Sequence, residues 1–221
     1  SPDFETLTPR LQELWTKKWS WQENPPTDPA QHYAEKAGIL AEFARIICIS
    51  FAFFKSRDGA YHLEVHSLAH ARERDLLQAF FKVCDSFFTA NDKQFCGHNI
   101  REFDIPFICR RALIHRVKLP TVLRDLQLRK PWENPMIDTL QFWKFGEYKH
   151  FTSVDLLAAV LDIPSPKADL CGADVSRVYW QEKDLPRIEA YCRQDVVTVA
   201  QILMRLNELP LLQPAQIHHQ T

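Results

Sequence analysis

The sequence predicts a layered α/β domain, and three observations carry that expectation. Arg45 to Lys55 (RIICISFAFFK) is a run of β-branched and aromatic residues with the composition of a buried strand. Tyr61 to Leu68 alternates as its returning partner, across a turn at Arg57-Asp58-Gly59. From Ala71 onward, segments of helical periodicity are interleaved with a short strand at Gln94 to Cys96. Strands first, then helices alternating with short strands, is the order of a sheet covered by helices. At 221 residues the chain suits one large domain or two small ones. It has no internal repeat and no low-complexity tract, and we take residues 1–221 as one domain.

The elements follow in order. Thr8 to Trp21 is helix-like, with Leu11, Leu14, Trp15 and Trp19 as its apolar set, and Asn24-Pro25-Pro26-Thr27-Asp28-Pro29 breaks it. Asp28 caps the next helix, with Pro29 at its first position, and that helix is expected to reach Phe43. After the hairpin, Ala71 to Phe88 is an amphipathic helix on Leu76, Leu77, Phe80, Phe81 and Val83. The short strand ends at Gly97-His98-Asn99, and Asp104 to Arg116 is helical, with Pro106 in the first turn where proline is tolerated. Residues 117–151 are less regular. Ser153 to Leu161 is helical with Thr152 or Ser153 as cap, and Asp184 caps a long final helix to Leu206, with Pro186 in its first turn. The tail from Pro210 is expected to be loose.

Composition excludes several classes. The longest apolar stretch, Ile46 to Phe54, is strand-sized and carries a serine, so no membrane span is expected. No signal peptide is visible, and the start at Ser1 suggests a processed or trimmed product. The six cysteines (48, 84, 96, 109, 171 and 192) form no CxxC pair, which fits neither a zinc site nor a disulfide scaffold. Buried free thiols in a reducing compartment, hence a cytoplasmic protein, are the expectation. A net charge of −1 means that nucleic-acid binding would need a local patch. Arg101, Arg110, Arg111, Arg116, Lys118, Arg124, Arg129 and Lys130, set against Glu102, Asp104 and Asp125, form one candidate; a solvated helix face is the plainer reading.

Two segments carry candidate chemistry. In Gly97-His98-Asn99-Ile100-Arg101-Glu102-Phe103-Asp104 a strand ends at a glycine and an aspartate opens a helix, so the carboxylate sits on rigid elements as a metal ligand requires. On position alone, a helix cap is the better explanation of Asp104. In Tyr191-Cys192-Arg193-Gln194-Asp195 a phenol and a carboxylate stand at i and i+4, on one helix face. A core tyrosine and a surface aspartate near Arg193 explain that spacing too.

Taken together, the segments resemble the predicted 3′→5′ exonucleases related to the proofreading domain of family B DNA polymerases, in the tyrosine-bearing branch of the DEDD superfamily. GHNIREFDIPFICRR is similar to that family's second motif and YCRQD to its third; KHFTSVDLLAAVLDIPSPK and DVSRVYW resemble the helix and linker between them. The likeness covers roughly Ala37 to Leu206. It implies a ribonuclease-H-like mixed β-sheet flanked by helices on both faces. It also implies a nuclease that releases nucleoside monophosphates from the 3′ end of single-stranded DNA or RNA, using two Mg²⁺ or Mn²⁺ ions held by four carboxylates. Asp195 would bind the first ion, Asp104 the second, and Tyr191 would orient the attacking water. His98, Asn99, Phe103, Arg110 and Arg111 are the residues expected to touch substrate. Hard oxygen ligands suit these metals.

The sequence departs from the family at its first motif, Asp-x-Glu at the end of an apolar strand. Asp3-Phe4-Glu5-Thr6 has the letters but no preceding strand, and the motif is expected upstream of Ser1. Asp3 and Glu5 are therefore outside the catalytic set. The missing strand is expected at the middle of the sheet, and a protein of these 221 residues is expected to digest no DNA. Trp143, Phe145, Tyr148 and Phe151, interleaved with Lys144, Lys149 and His150, read either as a stacking surface for single-stranded bases or as a cluster packed under a loop. Asp138 and Asp155 read as capping or turn residues. Two further functional readings stand beside the exonuclease: a catalytically inactive module that binds nucleic acid, and an α/β protein-interaction domain.

Overall fold

A hairpin organises the structure, a computed structural model that describes residues 3–22, 24–89, 93–130, 133–164 and 169–220. Strands β1 (Cys48–Arg57) and β2 (Ala60–Ala69) pair antiparallel along their whole length. Asp58 (φ 51°) and Gly59 (φ 78°) make the turn between them, both in the left-handed region that a tight two-residue hairpin needs. β1 starts three residues and ends two residues later than the sequence pattern suggested, because Arg45 to Ile47 lead in without pairing, and β2 extends one residue further at each end.

The two faces of the hairpin are both covered. Ile49, Phe51 and Leu68 pack against α3 (Glu73–Phe87) through Leu76, Leu77 and Phe80. Ala52, Leu63 and Val65 pack on the opposite face with Val197, Ala200 and Met204. Those residues belong to the long final helix α9 (Leu185–Leu206), whose cap Asp184 accepts a hydrogen bond from the Arg187 N–H at 3.1 Å.

The N-terminal layer is helical. Thr8 caps α1 (Pro9–Trp19) and Asp28 caps α2 (Pro29–Lys36), which continues as a 3₁₀ turn to Ile39 and stops short of Phe43. Phe43 folds back instead onto Trp15 and Tyr33, ring against ring at 5.0 and 6.0 Å. Asp3-Phe4-Glu5-Thr6 is a 3₁₀ turn and not a strand; Phe4 packs on Tyr33 while Asp3 and Glu5 are exposed.

After α3 come β3 (Phe95–Gly97), α4 (Asp104–Ile114) and α5 (Thr121–Arg124). A strand absent from the sequence reading, β4 (Met136–Asp138), then pairs parallel with β3 and leads into α6 (Thr139–Lys144). Ser153 caps α7 (Val154–Val160), and α8 (Val175–Arg177) winds into a π turn over Val178–Glu182 before α9. The Ser165-Pro166-Lys167 end of the family-like segment lies outside the described residues.

The tail is ordered, against expectation. Gln201 and the Leu212 backbone exchange two hydrogen bonds (2.8 and 2.9 Å), which pins the buried Leu212. Beyond it, β5 (Ile217–His219) adds to β2 in parallel.

The result is a mixed α/β fold whose sheet comes in two pieces, β1-β2-β5 and β3-β4. Among the described residues the outer edge of β1 and the free edge of β3 have no partner strand. Both pieces share helical layers all the same. Ile49 of β1, Phe95 of β3 and Met136 of β4 meet in one apolar cluster with α3 and α4, and α9 lies against both pieces. No helix among the described residues is long and apolar enough to cross a membrane.

Candidate active site

The corner between β3 and α4 is built by one buried carboxylate. Asp138, 3% exposed, accepts hydrogen bonds from the backbone N–H groups of Asn99 (2.9 Å), Arg101 (3.1 Å), Leu140 (3.0 Å) and Gln141 (3.4 Å). It therefore caps α6, as its sequence position suggests, and also clamps the Gly-His-Asn-Ile-Arg turn onto β4. The turn needs that clamp, since Asn99 is held at φ 62°. It also needs a glycine at 97: a Cβ there would lie 2.7 Å from the Ile100 Cβ. Arg101 folds back to donate to the Met136 carbonyl.

The corner delivers Asp104 to the first turn of α4, where its own backbone N–H reaches its carboxylate. The residue keeps exposed surface, yet its carboxyl is pushed up to about 6. Desolvation by the surrounding protein is the largest cause, and the charges of Asp138 and Asp195 add to it. Asp195, half-buried on α9, is also pushed up to about 6. Burial is again the chief cause, with the Asp155 charge adding to it and a hydrogen bond from Tyr191 opposing it. The structure thus brings Asp195 within electrostatic reach of Asp104, and Asp155 within reach of Asp195.

Tyr191 stands one turn before Asp195. Its ring packs on the cluster of Leu170, Val178 and Ile188, and its hydroxyl donates to the Asp195 carboxylate. Burial first, then the neighbouring carboxylates, raise its pKa well above that of a free phenol. The phenol therefore stays protonated at neutral pH, and it can orient an acceptor or a water but cannot serve as a base. Behind it, the Cys192 thiol hydrogen-bonds Cys48 of β1. All six cysteines are free; Cys84 is buried, and Cys171, against expectation, is exposed.

The residues expected to touch substrate divide. Phe103, 41% exposed, precedes Asp104 directly and stacks on Phe107, and Arg110 is exposed on α4. Asn99 lies in the clamped turn with its side-chain oxygen buried and without a hydrogen-bond partner. His98 is committed elsewhere. Nε2 lies 2.7 Å from the Thr152 carbonyl and Nδ1 2.9 Å from the Thr139 hydroxyl, so both ring nitrogens hold the ends of the 139–152 segment and neither is left for substrate.

Arg111 is a correction. It is 7% exposed, donates to Glu73 through Nε (2.8 Å) and Nη2 (2.6 Å), and gives Nη1 to the Ala41 carbonyl at 2.8 Å. It is an internal strut and meets no phosphate. The basic stretch is dispersed accordingly, with Arg124 paired to Asp125 and Arg129 turned to the Glu133 carbonyl.

One residue was passed over in the sequence. Asp155, exposed in the first turn of α7, raises the pKa of both Asp195 and Tyr191 and so faces the same recess. Its position after a Thr-Ser cap disguised it as an ordinary first-turn acid. Even so, among the described residues no group of three or more His, Cys, Asp or Glu side chains is placed to hold a metal ion.

The comparisons with known proteins agree with the motifs. A family model described as "Predicted 3'-5' exonuclease related to the exonuclease domain of PolB" matches residues 39–210. No curated protein matches the chain.

Proposed function

The chain belongs to the predicted 3′→5′ exonucleases related to the exonuclease domain of PolB, and from that premise we propose that it hydrolyses the terminal phosphodiester at a single-stranded 3′ end, with Asp104 and Asp195 as metal ligands and Tyr191 as the residue that orients water. The observation that carries this reading is a pair of carboxylates each pushed up to about 6, Asp104 at the strand-to-helix corner with the Asp195 charge acting on it, and Asp195 on α9 with the Asp155 charge acting on it. Acids whose ionised forms are disfavoured by burial and by neighbouring acids make a site that a cation relieves.

Their all-oxygen chemistry suits Mg²⁺ or Mn²⁺, so the donor set fits in kind. It is incomplete in number, since the described residues gather no third ligand. The pair accounts for part of one coordination sphere; a second ion requires further carboxylates, such as those expected from a strand carrying Asp-x-Glu. In a ribonuclease-H-like sheet that strand would lie between the open edges of β1 and β3. When bound, such an ion makes a water a usable nucleophile near neutral pH and neutralises charge on the phosphoryl oxygens. The chain's own contribution is positional. Asp138 fixes the corner, Asp104 and Asp195 present oxygens, and the protonated Tyr191 hydroxyl aligns the water.

The test is digestion of 3′-labelled single-stranded DNA and RNA by the full-length protein in Mn²⁺, beside Asp104→Asn. Asn is nearly isosteric with Asp but carries no charge, and Asp104 does not cap α4, whose N-cap is Phe103, so we expect turnover to fall at least about a hundredfold with the fold intact. Equal rates would remove Asp104 from the metal site.

The want of a third ligand favours one other reading, a module of this fold that binds nucleic acid without cutting it. Salt-dependent oligonucleotide affinity, with no digestion in any divalent ion, would establish that reading instead.

A further inference from the structure

Between residues 142 and 151, soon after the clamping Asp138, the chain exposes aromatic rings that a protein of this size would ordinarily bury. Phe142 is 41% exposed, Phe145 83%, Tyr148 94% and Phe151 67%. The segment does not lack a core to enter: Trp143, between the first two, turns inward against Leu157 and Ile202. Phe145 is held at φ 46°, a left-handed conformation that costs a bulky residue free energy, and its ring gains little burial in return. Phe142 and Phe145 lie 6.0 Å apart, ring to ring, and Phe151 meets His98 edge-on at 6.3 Å.

The ridge is fixed to the carboxylate corner at both ends. Asp138 caps α6 while gripping Asn99 and Arg101, and His98 bonds Thr139 and the Thr152 carbonyl. Lys144 and Lys149 are interleaved with the rings, together with Glu147, which pairs with His150 at 3.3 Å.

We propose that Phe142, Phe145, Tyr148 and Phe151 form a base-stacking ridge that receives a single-stranded nucleic acid and leads its 3′ end toward Asp104 and Asp195. The proposal deepens the exonuclease reading and rests on it for the direction of the strand. Unpaired bases offer flat faces to such rings, whatever their sequence, while a duplex keeps those faces stacked inside. The two interleaved lysines, Lys144 and Lys149, suit the phosphates between the bases. Because the ridge and the corner are one hydrogen-bonded unit, a strand seated on the rings has a fixed distance to the carboxylates, which a flexible loop would not provide.

The test is fluorescence anisotropy of a 5′-labelled oligothymidylate and of a blunt duplex, with the full-length protein in EDTA so that nothing is cut. Tyr148→Ala and Phe145→Gly delete rings that carry no core; glycine is also at ease at φ 46°, so neither variant should unfold. We expect each to bind the single strand about tenfold more weakly, with duplex affinity unchanged, and Tyr148→Trp to restore binding. Failure of Asp104→Asn to digest speaks to the catalytic reading, whereas loss of ring-dependent affinity speaks to the ridge. Unchanged single-strand affinity in both ring variants would overturn the proposal. So would a dimer in sedimentation that these variants convert to monomer, because the rings would then be covered by a second copy.

Discussion

Two regions of this molecule place acids among protein atoms, and they resolve the cost in opposite ways. At Glu73, burial alone would raise the carboxyl pKa. Hydrogen bonds from Arg111, from the Ile46 N–H (2.9 Å) and from His115 (2.7 Å) outweigh it and hold the group below the usual carboxylate range. At the corner, burial is also the largest influence on Asp104 and Asp195; one hydrogen bond at each, from the Asp104 N–H and from Tyr191, opposes it without offsetting it, and the neighbouring charges are other acids. Glu73 is held by its own counter-charge, Arg111, whereas burial and neighbouring acids dominate at Asp104 and Asp195. On the proposed reading, that pair is where a cation from outside would bind.

The largest effect should come from the balanced side. Arg111→Met removes one partner of a buried pair and leaves Glu73 uncompensated, so we expect a loss of about 3–5 kcal/mol in urea unfolding. A loss under about 1 kcal/mol would mean that the strut is no more balanced than the corner. Next, Gly97→Ala sets a Cβ against Ile100, part of the apolar cluster behind the corner, and should cost about 1–3 kcal/mol by the same measurement. Indifference there would mean that the turn gives way easily, and that Asp104 is not rigidly held.

The corner's acids should behave with the opposite sign. Asp195→Asn removes a charge from an acidic recess and keeps an acceptor for Tyr191. We expect a gain of about 1 kcal/mol at pH 7.5, discounted for the carboxyl's partial exposure. The pH dependence follows the same sign. Between the ordinary 3.8 and about 6, the native protein binds more protons at these two groups than the unfolded chain does. Stability from them therefore falls as pH rises through that window, and the cost is complete above pH 6. Glu73 acts below the window, because its stabilisation is lost only as pH falls through its depressed pKa. Parent unfolding free energies should thus rise on going from pH 7.5 to 5.0, and Asp195→Asn should flatten that rise. A parent that weakens over the same interval would contradict the raised values.

What the sequence revealed follows the range of the interactions involved. Asp58-Gly59 announced the hairpin, and Asp184 with Pro186 announced α9, because caps and tight turns are local chemistry. The three-residue strands β4 and β5 were hidden, since each exists by pairing with a distant partner: Met136 with Phe95, and Ile217 with Leu63. Asp104, Tyr191 and Asp195 were singled out by their motifs, and the structure sets the Tyr191 hydroxyl on the Asp195 carboxylate. Arg110 and Arg111 were not separable by sequence, although one is exposed and the other buried, because only the approach of Glu73 from α3 distinguishes them. Asp155 carried no motif of its own, and its bearing on Asp195 arises where α7 meets α9.

The claim that the unbalanced pair awaits a cation is tested most directly by chemical denaturation of the parent and of an Asp104→Asn/Asp195→Asn double variant at pH 7.5, with and without Mn²⁺. A ligand that binds only the folded protein stabilises it by about 2.7 kcal/mol at a hundredfold excess over Kd. The account predicts that Mn²⁺ stabilises the parent in this way, that the gain shrinks at pH 5 as the two acids take up protons, and that the double variant shows none of it. No stabilisation of the parent at saturating Mn²⁺, or the same gain in both proteins, would contradict it.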